Sequence, residues 1–249
     1  MDVLVCVKRV PGTGSSISLT EDGRAIDTRH LGFTIGPHEE CAVEVAVRIV
    51  AGHGGSVTVL TVGPDEADEQ LRYALSMGGD AAVRVAVDGA EPGPDGTAAA
   101  IAAAASEVGP FDLVFFGNES ADAGHYQVGV RVSHALGLPF VGGIKGVEVL
   151  DGGRLRLRRP VADGVEVYDV ALPAAVAVKE GLNLPRYPSM RGRLRAAKAQ
   201  IRVVNADVPA DGVRTVRLRL PEQTVTETVV LGKGPDAAPA VADLLEELL

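Results

Sequence analysis

Hydrophobic positions along this chain follow two rhythms. Four short runs rich in β-branched residues are apolar at nearly every position: VLVCV from Val3, SVTVLTV from Ser56, AAVRVAV from Ala81 and DLVFF from Asp112. A strand covered on both faces reads this way, so the runs predict parallel strands of a buried sheet. Between them lie stretches of helical spacing. HEECAVEVAVRIVAG sets Cys41, Val45 and Ile49 on one stripe and reaches Gly52, which the pattern marks as the helix end. EADEQLRYALSMGG carries carboxylates in its first turn, where the helix dipole favours them, and closes on Gly78 and Gly79. GTAAAIAAAASEVG has high helix propensity and small side chains that allow close packing. A fourth helix is predicted from near Ala123 to Leu136. Strands alternating with crossover helices predict the α/β class: an open, mostly parallel, Rossmann-like sheet with helices on both faces.

Two segments interrupt the alternation. Residues 13–30, TGSSISLTEDGRAIDTRH, read as a hairpin turning around Glu21, Asp22 and Gly23. From Val147, VEVLDGGRLRLRRPVADGVEVYDVALPAAVAV reads as two or three antiparallel strands, turning at Asp151 to Gly153 and at Asp163 to Gly164, that extend one side of the parallel sheet. After Lys179 the character changes. Pro185 and Pro188 accompany a basic cluster, Arg186, Arg191, Arg193, Arg195 and Lys198, followed by a polar strand-like piece and a final helix, APAVADLLEELL. So long a tail with so little core of its own needs another surface to lie on. The division expected is a nucleotide-binding α/β domain over 1–183 and a partner-wrapping C-terminal arm with a terminal helix over 184–249.

Composition narrows the functional classes. With 249 residues, 46% of them hydrophobic, the chain can bury a full core. Its formal net charge of -9 argues against a nucleic-acid partner, whose phosphates demand clustered cations. The two cysteines, Cys6 and Cys41, lack CxxC or finger-like spacing, which suits reducing conditions. MDVLVCVKRV is charged too early for a secretory leader and no apolar run reaches membrane-spanning length. A cytoplasmic protein with no membrane insertion is expected.

In open α/β sheets ligands collect beyond the carboxyl ends of the strands, where helix N-termini offer free N–H groups to anions. Lys8 to Gly14, Val62 to Asp65 and Gly117 to Gly129 fall there. The small residues of the third stretch let a ligand approach the backbone. An ordinary turn with Asp122 as helix cap explains the same residues, and spacing alone leaves the two readings equal. Bond-making chemistry is poorly supported. PGTGSS lacks the Gly-Lys-Ser/Thr ending of a phosphate loop, and His30, His38, His53, His125 and His134 show no metal spacing. There is no G-x-S-x-G elbow, and Ser120 with His125 has no third partner.

VLVCVKRV, GPHEECAVEVAVR, VGPDEADEQLRYALSMGGD, DLVFFGNESAD, ALPAAVAVKEGLNLPRYPS and GRLRAAK occur in an order and approximate spacing that resemble the β subunit of electron transfer flavoprotein over nearly the whole chain. GLNLPRYPS followed by AAK is the most specific of these, resembling an Asn-x-Pro-Arg-Tyr stretch beside that family's partner-recognition loop. The resemblance implies an adenine nucleotide α-hydrolase-like fold and a heterodimer with an α subunit that holds most of an FAD. It implies electrons taken from acyl-CoA or similar dehydrogenases and passed to a membrane quinone oxidoreductase, by a carrier without substrate turnover of its own. It further implies an AMP buried in this subunit. Carried over by position, the contacts are Cys6 through its backbone, then Gly36, Pro37, His38, Glu39 and Val62. They continue with Asp122, Ala123, Gly124, His125, Tyr126, Gln127, Val128, Gly129, Val130, Arg131, Val132 and Ser133.

Departures from the family pattern fall at the same place. The family shows Asp-x-Asp and then Gln-Thr-Gly, whereas here Asp122 is followed by Gly124, and Gln127 by Val128 and Gly129. A second carboxylate and a threonine hydroxyl are thus missing, and each, where buried and hydrogen-bonded, would contribute about 1 kcal/mol. Electron-bifurcating relatives also carry Gln-Val-Gly and hold a second FAD in place of AMP, although their Asp-Gly-Asp-Thr is absent here. Aromatic residues expected near the flavin are replaced by Thr13 or a neighbour and by His38, and Leu184 stands where an acidic residue usually precedes Pro185. Two alternatives stay open beside the carrier subunit: a bifurcating relative, and a free-standing AMP or ATP sensor of the same fold.

Overall fold

The computed structural model describes residues 1–248 apart from 13, 88–90, 207, 209–211, 213, 214 and 222–227. In chain order the elements begin with β1 (Asp2–Cys6), β2 (Arg9–Pro11), β3 (Phe33–Ile35), α1 (Pro37–His53) and β4 (Ser56–Gly63). After a short 3-10 turn follow α2 (Asp68–Met77), β5 (Ala81–Ala86), α3 (Pro94–Val108), β6 (Leu113–Gly117), α4 (Val128–Ala135) and β7 (Phe140–Ile144). The chain continues through β8 (Gly146–Leu150), β9 (Arg154–Val161), β10 (Gly164–Ala171), β11 (Ala174–Val178), α5 (Met190–Lys198), β12 (Ile201–Asn205) and α6 (Ala238–Leu248).

The four apolar runs form four adjacent parallel strands, because only a strand covered on both faces needs apolar side chains in both directions. They lie within a seven-stranded sheet of order β12-β5-β4-β1-β6-β11-β7. Alternate residues of each strand serve different layers. Val3, Val5 and Phe115 pack against α1, while Leu4, Cys6, Val114 and Phe116 pack towards α3 and α4. Starting at β1, the chain first builds outward through β4 and β5, then returns to the opposite flank of β1 with β6. The direction of winding therefore reverses between β1 and β6, whose register pairs Val3 with Leu113 and Cys6 with Phe116.

Several local expectations shift. Ala174–Val178, expected among the antiparallel strands, is a parallel strand between β6 and β7, buried at all five positions. Its unbroken apolar run carries the same mark as the other core strands; proximity in sequence to the hairpins concealed it. The remaining antiparallel strands form a sheet of their own, β10-β9-β8, instead of continuing the parallel one, with Leu155 and Leu157 packed into the core on the α1 side. Helix α1 passes through Gly52 and stops at Gly54, whose φ of 73° suits glycine. The hairpin reduces to one bridge, Leu19 with Ile26, turned where Gly23 adopts a φ of 63° and the Thr20 hydroxyl donates to Asp22.

The stretch after Lys179 begins on the chain's own body. Helix α5 lies against α2, with the Arg195 guanidinium donating to the carbonyls of Leu75 and Gly79 and Arg72 donating to those of Ala196 and Ala199. Strand β12 then completes the sheet edge beside β5. Helix α6 is different: none of its residues is buried.

Candidate functional site

The crevice at the reversal point is built by three chain segments. Leaving β1, the chain presents Lys8; entering α1, it presents Gly36 to Glu39; leaving β6, it presents Gly117 to Asp122. Parallel pairing of β1 with β6 brings the first and third side by side. The second reaches them because α1 packs across β1 and β6. Lys8 Nζ bridges two carboxylates here, Asp122 at 2.6 Å and Glu91 at 2.7 Å. Burial alone would lower the Lys8 pKa, but the charges and hydrogen bonds of Glu91 and Asp122 outweigh it and raise it. Asp122 moves the other way: burial would raise its pKa, yet the hydrogen bond from Lys8 holds it below the ordinary carboxylate range.

Glu39 is the third residue of α1 and is 3% exposed. Its carboxyl group lies between two glycines. A methyl group at Gly36 would collide with it, and one at Gly117 would stand 2.8 Å from its Cδ. Burial raises the Glu39 pKa to about 7, with the charge of Asp122 adding to the rise and its own backbone N–H and Lys8 opposing it. Oε2 has no hydrogen-bond partner among the described residues. Leaving such an acceptor unmatched costs roughly 1–3 kcal/mol, which a fold tolerates where something else is to bind. Neighbouring His38 is also buried, with Nδ1 unpartnered among the described residues and its pKa lowered by burial against the opposing charges of Glu119 and Glu180.

The other expected site residues divide into two groups. Cys6 ends β1 at the crevice floor, its thiol pushed far up by burial, and Val62 stands one residue before the end of β4. Pro37 occupies the first position of α1, where a missing N–H costs nothing. Asp122, Ala123, Gly124, His125, Tyr126 and Gln127 form the loop after β6, tightened by Gly124 at φ 55° and Tyr126 at φ 59°. The helix expected from Ala123 therefore starts only at Val128, and no side chain caps it. Asp122 is engaged by Lys8 and by the Ala123 N–H instead of capping a helix. Val128, Gly129, Val130 and Arg131 supply its first turn, and Arg131 is held by Gln127 and by Asp95 at 2.7 Å. The side chains of Val132 and Ser133 point into packing, Val132 fully buried and Ser133 donating back to the Gly129 carbonyl. Thr13 lies outside the described residues.

Two participants escaped sequence reading. Glu91 reaches Lys8 from the connection after β5, and only the position of that connection at the carboxyl edge hinted at it. Glu44, 2% exposed in its side chain, binds Arg48 on its own helix and both the backbone N–H and guanidinium of Arg186. A carboxylate lying next to Val45, inside the apolar stripe of α1, was the available signal. A shallow groove between α1 and β8 is lined by Arg48, Arg158 and His53 over Val45 and Val147, but both arginines already hold carboxylates.

Chemically the crevice is suited to binding. It offers buried acceptors and an uncapped helix start, which suit a ligand carrying hydroxyl or amino donors and an anionic group. Among the described residues no three His, Cys, Asp or Glu side chains gather as a metal ion would need. No described helix is long and apolar enough to cross a membrane.

Comparison with known proteins agrees along the chain. The Electron transfer flavoprotein domain family matches residues 24–209. The electron transfer flavoprotein subunit beta of Mycobacterium leprae is 37% identical over 210 residues, covering 82% of this chain and 78% of its own. That of Thermoanaerobacterium thermosaccharolyticum is 34% identical over 209 residues, covering 83% and 79%. That of Syntrophomonas wolfei is 35% identical over 223 residues, covering 89% and 86%. Likeness of this extent, spanning the parallel sheet and the segments that meet at its reversal point, shows that the chain belongs to the electron transfer flavoprotein β-subunit family.

Proposed function

We propose that this chain is the β subunit of a heterodimeric electron carrier, that its crevice between β1 and β6 holds an AMP, and that an α subunit holds most of the FAD. The carrying observation is the buried, unpartnered Glu39 Oε2 between Gly36 and Gly117, beside the Lys8–Asp122 pair. These residues fit a nucleoside: Glu39 accepts from a hydroxyl or amino donor, the two glycines make room for its carboxyl group, and the first turn of α4 receives the phosphate. The flavin, when bound, supplies the electron chemistry; this chain binds, orients and shields. On this reading the protein turns over no substrate of its own. It takes electrons from acyl-CoA or similar dehydrogenases and delivers them to a membrane quinone oxidoreductase, acting in the cytoplasm.

Support for a partner comes from α6. Val241, Leu244, Leu245 and Leu248 fall on one side of the helix and are 41–74% exposed. An apolar stripe of this spacing is made to lie in a groove. In this reading the arm expected over 184–249 is anchored on its own body through β12 and again where Gly212 donates to Asp95 and Leu218 to the Gly23 carbonyl, and it grips the α subunit through α6. Co-expression with the α subunit tests the proposal. A yellow heterodimer should release one FAD and one AMP on extraction. Two FAD would make the chain a bifurcating relative, and a colourless monomer retaining AMP would make it a sensor.

A further inference from the structure

Glu39 is placed for more than passive contact. Its carboxyl group is packed against Gly36, Gly117 and the start of α1, and among the described residues one oxygen has nothing to accept from. Three charged groups face it. Asp122 comes from the loop after β6, Lys8 from the loop after β1, and Glu40 from its own helix, while Glu91 acts on it only through Lys8. Asp122 is held ionised and Lys8 held protonated by each other, so neither changes charge near neutrality. His38, the next residue back, faces Glu119, Glu180, Lys179 and Lys145 instead. Burial brings the Glu39 pKa to about 7, so Glu39 is the group of this cluster that titrates near neutrality.

Building on the adenylate reading, we propose that Glu39 couples nucleotide occupancy to one proton and selects ligands that bring a hydrogen-bond donor. Below neutrality the carboxyl group of the empty cleft is protonated. When the ligand seats, a ribose hydroxyl or adenine amino group donates to the carboxylate, and the proton leaves to solvent. The balance is Glu39-COOH plus ligand X–H giving Glu39-COO⁻ hydrogen-bonded to H–X, plus H⁺. Neither bonds nor electrons change elsewhere. Ligand binding then strengthens as pH rises through neutrality and levels off above it.

Calorimetry on the full-length complex, freed of nucleotide, tests this with adenosine as the probe, since adenosine itself does not titrate in the range. Titrations between pH 6 and pH 8.5 in two buffers of different ionisation enthalpy count the protons released. The expected result is close to one proton per adenosine at pH 6, falling towards none at pH 8.5, with affinity rising about tenfold across that interval. Glu39→Gln should bind adenosine more weakly, with no proton release and a flat pH profile, while AMP follows the same weakening on top of its own phosphate titration. Wild-type binding of adenosine that is flat in pH and releases no proton overturns the proposal, whether or not the Gln variant folds. A complex that binds neither adenosine nor AMP overturns the adenylate reading, and this inference with it.

Discussion

At Gly117 a methyl group would stand 2.8 Å from the Glu39 carboxyl carbon, closer than packed atoms come, and the carboxyl group is already sealed on its other side by Gly36. Gly117→Ala should therefore cost about 1–3 kcal/mol of stability, read by denaturant unfolding, and should weaken adenosine binding at the same time. Asp122 and Glu39 respond to pH in opposite senses. Asp122 has its folded pKa depressed, so its contribution is present above the unfolded value of about 3.9 and fades as pH falls through the folded one. Lys8→Met should lower stability at pH 7 by about 1–3 kcal/mol, and the gap to wild type should shrink in acid once Asp122 is protonated in both. Glu39 is raised to about 7, so its protonated form is favoured by the fold and stability falls as pH rises from about 4 to about 7. In the nucleotide-free chain Glu39→Gln should remove that decline, worth about 3 kcal/mol across the window, in unfolding curves taken at successive pH values. The residue types were legible in the sequence, but their states were not. That Glu39 is sealed and Asp122 paired depends on which strands end beside them.

Helix α1 does the most at the scale of elements. Its first turn contributes Glu39 to the crevice, and Glu44 pins the segment after β11 by accepting from Arg186 at 2.7 Å while Asn183 donates to the Cys41 carbonyl. Pinning turns the neighbouring side chains outward: Leu184 is 85% exposed, Tyr187 83% and Met190 74%. Glu44→Gln should loosen this segment, with faster amide exchange over 183–190 and a stability decrease of about 1–2 kcal/mol. The cost stays modest because both arginines are half-exposed, so water solvates them once the carboxylate charge is gone. The helix pattern of α1 was readable from its apolar stripe. The start of α4 was not, because small and polar residues from Ala121 to Gln127 satisfy a turn as well as a helix, and φ values of 55° at Gly124 and 59° at Tyr126 decide for the turn.

Across the whole molecule, the chain after β12 stays on the body through Ala206, Val208 and the Leu218 N–H that donates to the Gly23 carbonyl, whereas the apolar stripe of α6 lies uncovered among the described residues. A chain ending after Leu220, which keeps these contacts and loses only α6 and the segment before it, should keep its far-ultraviolet signature and melt within a few degrees of the full chain, yet fail to co-purify with the α subunit. A truncated chain that still co-purifies would show that the arm does not carry the association. The class of fold and the order of its first core strands along the chain followed from residue patterns, because burial on two faces and helical spacing leave local marks that need no partner; the family followed from the resemblance of its motifs, GLNLPRYPS above all. Strand neighbours were decided only in three dimensions: β11 enters between β6 and β7 although hairpins precede it, and β12 closes the far edge. The crevice exists because winding reverses between β1 and β6, where Cys6 pairs with Phe116 across a long separation in sequence. A pairing that distant leaves no periodic trace in either segment, since each strand is apolar whichever neighbour it finds, and packing alone selects the pair that brings Lys8, Glu39 and Asp122 together.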